Sequence, residues 1–147
     1  MLKQFLFGSD FKGTAWATLG FTLLRIFTGV GLMTHGFAKL PVSEQFVGGV
    51  AALGFPFPVA FAWAAALAEA AGGALILAGF LTRPAAFFAL FTMCVAVFGV
   101  HLNDPFGKKE LALVYGFLAL CFLLAGAGDW SIDALVRGNS RSSRRRW

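Results

Sequence analysis

Four long apolar runs divide the chain, separated by short segments rich in charge, glycine and proline. They predict helices over residues 15–37, 57–80, 85–102 and 110–126. About 20 consecutive apolar residues, rising 1.5 Å each, match a hydrocarbon core ~30 Å thick, so each run is long enough to cross a bilayer. Trp16 sits where an interfacial anchor belongs, Pro56 and Pro58 mark the entry to the second run, and Pro84 suits the first turn of the third. Residues 1–14 mix Leu2, Phe5, Leu6 and Phe7 with Lys3, Asp10 and Lys12, the pattern of a short helix lying in the interface. A cleaved signal peptide is the competing reading. It fails because the next run is too long and no small-residue cleavage pattern follows. The loop 41–54 is too apolar for a solvated connection and predicts a re-entrant or interfacial segment. After Gly128, either Asp129 or Ser131 is placed to cap a short interfacial helix beside Trp130.

Composition agrees with lipid as the main solvent. Only 13% of the residues are charged, about half the ~25% of a soluble domain. The expected class is all-α: an integral membrane four-helix bundle over 15–128, preceded by the interfacial segment and followed by a basic tail, 129–147. The net charge of +5 is unevenly spread. Lys3, Lys12, Arg83 and the tail residues Arg137, Arg141, Arg144, Arg145 and Arg146 fall at one end, and Lys39, Lys108 and Lys109 at the other. The positive-inside rule then makes both termini cytoplasmic. No folded basic domain accompanies the tail, so nucleic acid is not an expected partner; the tail reads as a topology signal lying on anionic headgroups.

Charge inside the apolar runs is the candidate chemistry, because the bilayer tolerates such groups only with a partner or a use. Arg25 lies about ten residues into the first run, ~15 Å deep, and Glu69 about twelve into the second, ~18 Å from the opposite face. Equal depth predicts an Arg25–Glu69 ion pair, acting either as a structural clamp or as a gate. Arg25, Gly29, Leu32, Gly36 and Lys39 follow one helical track. Near the opposite end, His35 and Lys39 are expected to meet His101 and Glu110. Such a cluster has the groups for proton exchange by His35 or His101, oriented by Glu110, and for binding a quinone headgroup through His35, Lys39, His101 and Glu110. Each residue also has an ordinary reading: a carbonyl-bonded histidine, a snorkelling lysine, a helix N-terminal glutamate. No spacing selects a metal or haem. Cys94 and Cys121 lie in apolar runs without CxxC spacing, and read as small core residues rather than a redox dithiol. On the second run, Ala62, Ala66, Ala70, Ala74 and Ala78 recur every fourth residue beside Gly72 and Gly73, a stripe for close helix packing.

Three of these stretches together resemble one family. Arg25 followed by His35-Gly36-Phe37-Ala38-Lys39-Leu40 is similar to the first-span signature of DoxX proteins. Glu69-Ala70-Ala71-Gly72-Gly73 leading to Gly79-Phe80-Leu81-Thr82-Arg83-Pro84-Ala85-Ala86 resembles the second, and Gly126-Ala127-Gly128-Asp129-Trp130-Ser131-Ile132-Asp133 the closing G-x-G-x-x-S-x-D. The resemblance implies a multi-pass protein of a bacterial inner membrane. It links some relatives to sulfur-compound oxidation with quinone as acceptor, and others to membrane redox complexes with soluble partners. The expected function is therefore a redox-associated membrane subunit, at most one subunit of an oxidoreductase, with quinone as the cofactor and a redox protein or a second copy of the chain as partner. Two other readings stand beside it: a small-solute transporter gated by Arg25 and Glu69, and a non-catalytic scaffold.

Overall fold

The computed structural model describes residues 6–8 and 13–143, with side chains described as far as 138. Most of the expected interfacial segment 1–14 and the end of the basic tail, 144–147, lie outside the described residues. Among the described residues every regular element is helical. In chain order these are α1 (Ala15–Phe37), α2 (Glu44–Ala52), α3 (Pro58–Ala78), α4 (Thr82–Val95), a π-helical turn (Ala96–Val100), α5 (Phe106–Ala125) and α6 (Ile132–Ser143).

Local chemistry sets most of the ends. Thr14 caps α1, its hydroxyl accepting from Ala17 N–H at 3.3 Å, and Ser43 caps α2 by accepting from Phe46 N–H at 3.2 Å. Pro58 opens α3 from the first turn, where a missing N–H costs nothing. Gly79 closes it at φ +66°. There Gly79 N–H bonds Ile76 C=O and Phe80 N–H bonds Leu75 C=O, both at 3.0 Å, which is the double closure of a Schellman motif. The turn to α4 is only three residues long. At the other end of α4 the helix widens: His101 N–H reaches back to Ala96 C=O at 2.9 Å.

α1, α3 and the continuous helix Thr82–Val100 are each long and apolar enough to cross a membrane. α5 is 20 residues long, and its first turn carries Lys108, Lys109 and Glu110. A helix lies at each of the four expected runs to within a few residues, with α4 beginning at Thr82 rather than 85 and α5 at Phe106 rather than 110. The expected re-entrant or interfacial segment contains α2, which packs on α3.

The most extensive packing is of α1 on α3, followed by α4 on α5 and then α3 on α4. The α1–α3 seam is made by glycine. A Cβ added to Gly36 would lie 2.2 Å from Ala70 N, one on Gly29 2.6 Å from Leu77 Cβ, and one on Gly73 2.7 Å from Met33 N. The two backbones therefore touch, gaining dispersion contacts that lipid cannot supply. The buried residues of α1 include Arg25, Gly29, Leu32 and Gly36, so the helical track read from the sequence is the buried face. Leu32 and Ile76 join Ala85, Ala86, Ala89, Met93, Ala119 and Phe122 in the core. Phe27, Phe88, Phe117 and Leu124 are exposed on the protein surface, the coat expected of helices solvated by acyl chains. Cys94 and Cys121 are free and also exposed, which corrects the expectation that they are core residues. A lipid-facing position satisfies a thiol as readily as a core position does.

The seam yields a direct test. Gly36→Leu is expected to destabilise the protein by at least ~1–3 kcal/mol in detergent thermal unfolding, because no backbone movement short of separating α1 from α3 makes room. Gly48→Ala, on α2 with nothing within 4 Å of the added carbon, is expected to be neutral or to stabilise by about 0.5–1 kcal/mol.

Candidate functional site

The charged groups of the apolar helices form three separate centres. The first closes the end of the structure that holds the α3–α4 turn. Arg25 is 97% buried on α1 and donates from Nη2 to Trp130 C=O at 2.8 Å. Its Nη1 packs flush on Gly79, where any side chain would collide with it. Asp133, at the start of α6 and also buried, accepts from Leu81 N–H at 2.9 Å and Thr82 N–H at 3.1 Å, while its own N–H bonds Gly79 C=O at 2.8 Å. One carboxylate thus caps α4 and holds Leu81 in its left-handed conformation, φ +47°. Ser131 caps α6 by accepting from Ala134 N–H at 3.1 Å. Asp129, the other candidate cap, lies 3.8 Å from Arg137 instead. Gly126 and Gly128, at φ +79° and +81°, give the connecting loop the left-handed turns it needs.

The expected Arg25–Glu69 pair is not formed. Arg25 is level with Gly79, ten residues along α3 from Glu69, or ~15 Å away. The expectation assumed that both helices start flush with opposite faces. The glycine seam instead staggers them, and the part of α1 before Arg25 runs past the end of α3.

The same stagger creates the second centre. Lys39, just beyond the end of α1, is brought to Glu69 near the middle of α3, with Nζ 2.5 Å from Oε1. Glu69 is 99% buried. Its Oε2 is shielded from solvent and has no hydrogen-bond partner among the described residues. The lysine side chain is one-third exposed and its ammonium lies 5.8 Å from the centre of the Phe46 ring on α2, at the outer edge of a cation–π contact. The arrangement is a buried carboxylate with one oxygen held by a partly exposed lysine and the other without a hydrogen-bond partner among the described residues.

The third set lies toward the α4–α5 connection and does not converge as expected. His35 is exposed and stacks edge-on against Tyr115 of α5, ring centres 5.6 Å apart; the Tyr115 hydroxyl rests against Gly31. His101 Nδ1 is 2.8 Å from Asp104 Oδ2, with Lys108 3.8 Å from the same carboxylate. Lys109 donates to Leu102 C=O at 2.9 Å. Glu110 is exposed and forms no hydrogen bond or ion pair with either histidine among the described residues. The role of orienting a histidine, expected of Glu110, is filled for His101 by Asp104. The reason is turn geometry: α5 starts four residues early, so Glu110 is carried along the helix while Asp104 stays in the tight turn beside His101. The hydrogen bond to His101 holds the Asp104 carboxyl below the usual carboxylate range, with Lys108, His101 and Lys109 charges acting the same way against some desolvation.

Sequence reasoning missed Asp133 and Tyr115 as working side chains, and it read Asp104 as a turn residue beside the cluster rather than as the partner of His101. Asp133 had a signal in the closing S-x-D pattern, but its partners are 51 and 52 residues away. Among the described residues no three of His, Cys, Asp and Glu gather as metal ligands.

This architecture of apolar spanning helices enclosing paired charges is that of a multi-pass membrane protein in contact with lipid along its sides. The chain belongs to the DoxX family, whose model matches residues 20–102. It is 34% identical over 118 residues to a protein of Haemophilus influenzae, spanning 75% of this chain and 85% of that one. It is 32% identical over 127 residues to the inner membrane protein YqjF of Escherichia coli, spanning 80% of this chain and 92% of that one. It is 29% identical over 119 residues to CatD of Bacillus subtilis, provisionally named an oxidoreductase, spanning 80% and 87%. No solved structure matches the chain. The protein is accordingly a multi-pass protein of a bacterial inner membrane.

Three measurements check the site. Glu69→Gln and Lys39→Met are each expected to cost about 2–4 kcal/mol, with the double variant costing clearly less than the sum. Arg25→Gln and Glu69→Gln are expected to add within ~0.5 kcal/mol, as distant sites do; strong coupling between them would contradict the observed stagger. For Asp104 the folded-state pKa is depressed, so its contribution to stability is present above the ordinary carboxylate pKa of ~3.9 and is lost as pH falls through the lower folded value. His101→Asn is expected to raise the Asp104 titration midpoint, followed by carboxyl carbon NMR.

Proposed function

We propose that this chain is the membrane-embedded subunit of a redox system and that the Lys39–Glu69 pair, at the end of the structure that also holds the His35–Tyr115 contact, receives the headgroup of a quinone. The observation that carries the reading is the orphan Oε2 of a carboxylate buried to 99% whose other oxygen is held by a partly exposed lysine. A buried, unsatisfied carboxylate oxygen is costly unless a ligand or proton uses it. A quinone supplies an acceptor of two electrons and two protons. Lys39 donates a hydrogen bond to a carbonyl oxygen of the headgroup, the Glu69 carboxylate holds Lys39 in place behind it, and the exposed His35 exchanges protons with the surroundings. His101, tied to Asp104, and the exposed Glu110 are left to the rim. Electrons come from a partner protein. The provisional name of CatD supports the redox assignment. α5 serves as the fourth crossing: 20 residues give ~30 Å, and it packs along α4. The charge bias supports a cytoplasmic position for the end with Arg83 and the basic tail.

The gate of a small-solute transporter needed Arg25 beside Glu69, and the stagger removes that basis. Protein purified with its native lipid is expected to carry quinone, measured by solvent extraction and mass spectrometry. Lys39→Met and His35→Ala are each expected to weaken binding of a short-chain quinone by about tenfold, equivalent to ~1.4 kcal/mol. Absence of quinone together with unchanged binding in both variants would sink this reading and leave the scaffold.

A further inference from the structure

The α3–α4 turn joins two helices that each have the length and composition to cross a membrane, and it is three residues long. Such a turn lies at a membrane surface, and whatever is bonded to it lies there too. α6 is bonded to it three times, through Asp133 to Gly79, Leu81 and Thr82. The face of α6 that carries Asp133 and Arg137 is used internally: Asp133 holds the turn and Arg137 donates to Phe7 C=O at 3.0 Å. A different face is left open. Ile132, Leu135 and Val136, at i, i+3 and i+4, are 42%, 69% and 38% exposed, and Trp130 just before them is 53% exposed. These four make an apolar stripe along a helix tied to that turn, led by the residue type that favours the headgroup level. The sequence then continues with Arg141, Arg144, Arg145 and Arg146.

We propose that α6 docks on anionic phospholipid at this surface, with Trp130, Ile132, Leu135 and Val136 entering the boundary between headgroups and acyl chains and the arginines that follow matching the negative charge. The apolar stripe selects a lipid surface over a solvated protein loop, and the run of positive charge selects anionic over zwitterionic headgroups. The docked helix carries the carboxylate that caps α4 and the carbonyl that holds Arg25, so lipid binding reinforces the contacts that close this end. The proposal does not depend on quinone binding.

The test uses the full chain in nanodiscs of phosphatidylcholine alone or with about one-third phosphatidylglycerol. Thermal unfolding is expected to rise by about 4 °C in the anionic discs, and the gain to vanish in high salt and in the variant with Arg141, Arg144, Arg145 and Arg146 all changed to Gln. In a chain with Trp16, Trp63 and Trp147 replaced by Phe, the remaining Trp130 is expected to be quenched by lipid brominated high on its acyl chains and shielded from aqueous acrylamide. Equal unfolding midpoints in the two discs overturn the anionic-headgroup assignment. Quenching of Trp130 by acrylamide but not by brominated lipid overturns the docking itself and leaves the stripe to a protein partner.

Discussion

Everything distinctive in this structure depends on α1 and α3 meeting backbone to backbone. In lipid there is no hydrophobic drive to bring two apolar helices together, so association rests on how closely their surfaces fit. Gly29, Gly36 and Gly73 remove the side chains that would hold the helices apart, and Ala70 and Leu77 occupy the space. Contact this close permits few relative positions. It sets the stagger of α1 against α3, and the stagger decides which charged group finds which partner.

Two polar centres follow from it, one at each end of the seam. At one end Arg25 overruns α3 and is taken up by the carbonyl of Trp130, beside the aspartate that caps α4. Every element of that corner is bonded to another, and Gly79 is the place where a guanidinium, a turn and α6 pack without room for a Cβ. It has the character of a clasp. At the other end Lys39 meets Glu69 halfway along α3, and there one carboxylate oxygen is left without a hydrogen-bond partner. The two differ in exposure: Arg25 is sealed within 3%, whereas the Lys39 side chain is one-third exposed beside a buried carboxylate.

Particular residues show where reading a sequence succeeds in such a protein. The track of Arg25, Gly29, Leu32 and Gly36 is the buried face of α1 because helical period alone orders it. The end of α3 was close to its expected place because Gly79 is a local stop signal. The start of α4 was missed by three residues because its cap, Asp133, comes from the far end of the chain. Arg25 and Glu69 were paired wrongly because depth counted from each helix end takes no account of a lateral fit that slides one helix past the other. His101 was rightly singled out, yet its partner came from the turn beside it rather than from α5.

The sequence by itself determined the solvent, the helices and the family, since hydropathy, helical period and local end signals are properties of neighbouring residues. It also determined which groups would be out of place in lipid: Arg25, His35, Lys39 and Glu69 are visible as charges or titratable groups in apolar runs. Only the tertiary structure decided their partners. Pairing depends on the register between helices, and that register was set by contacts among glycines and alanines, small residues whose sequence pattern marks a helix as ready to pack closely but does not say at what height.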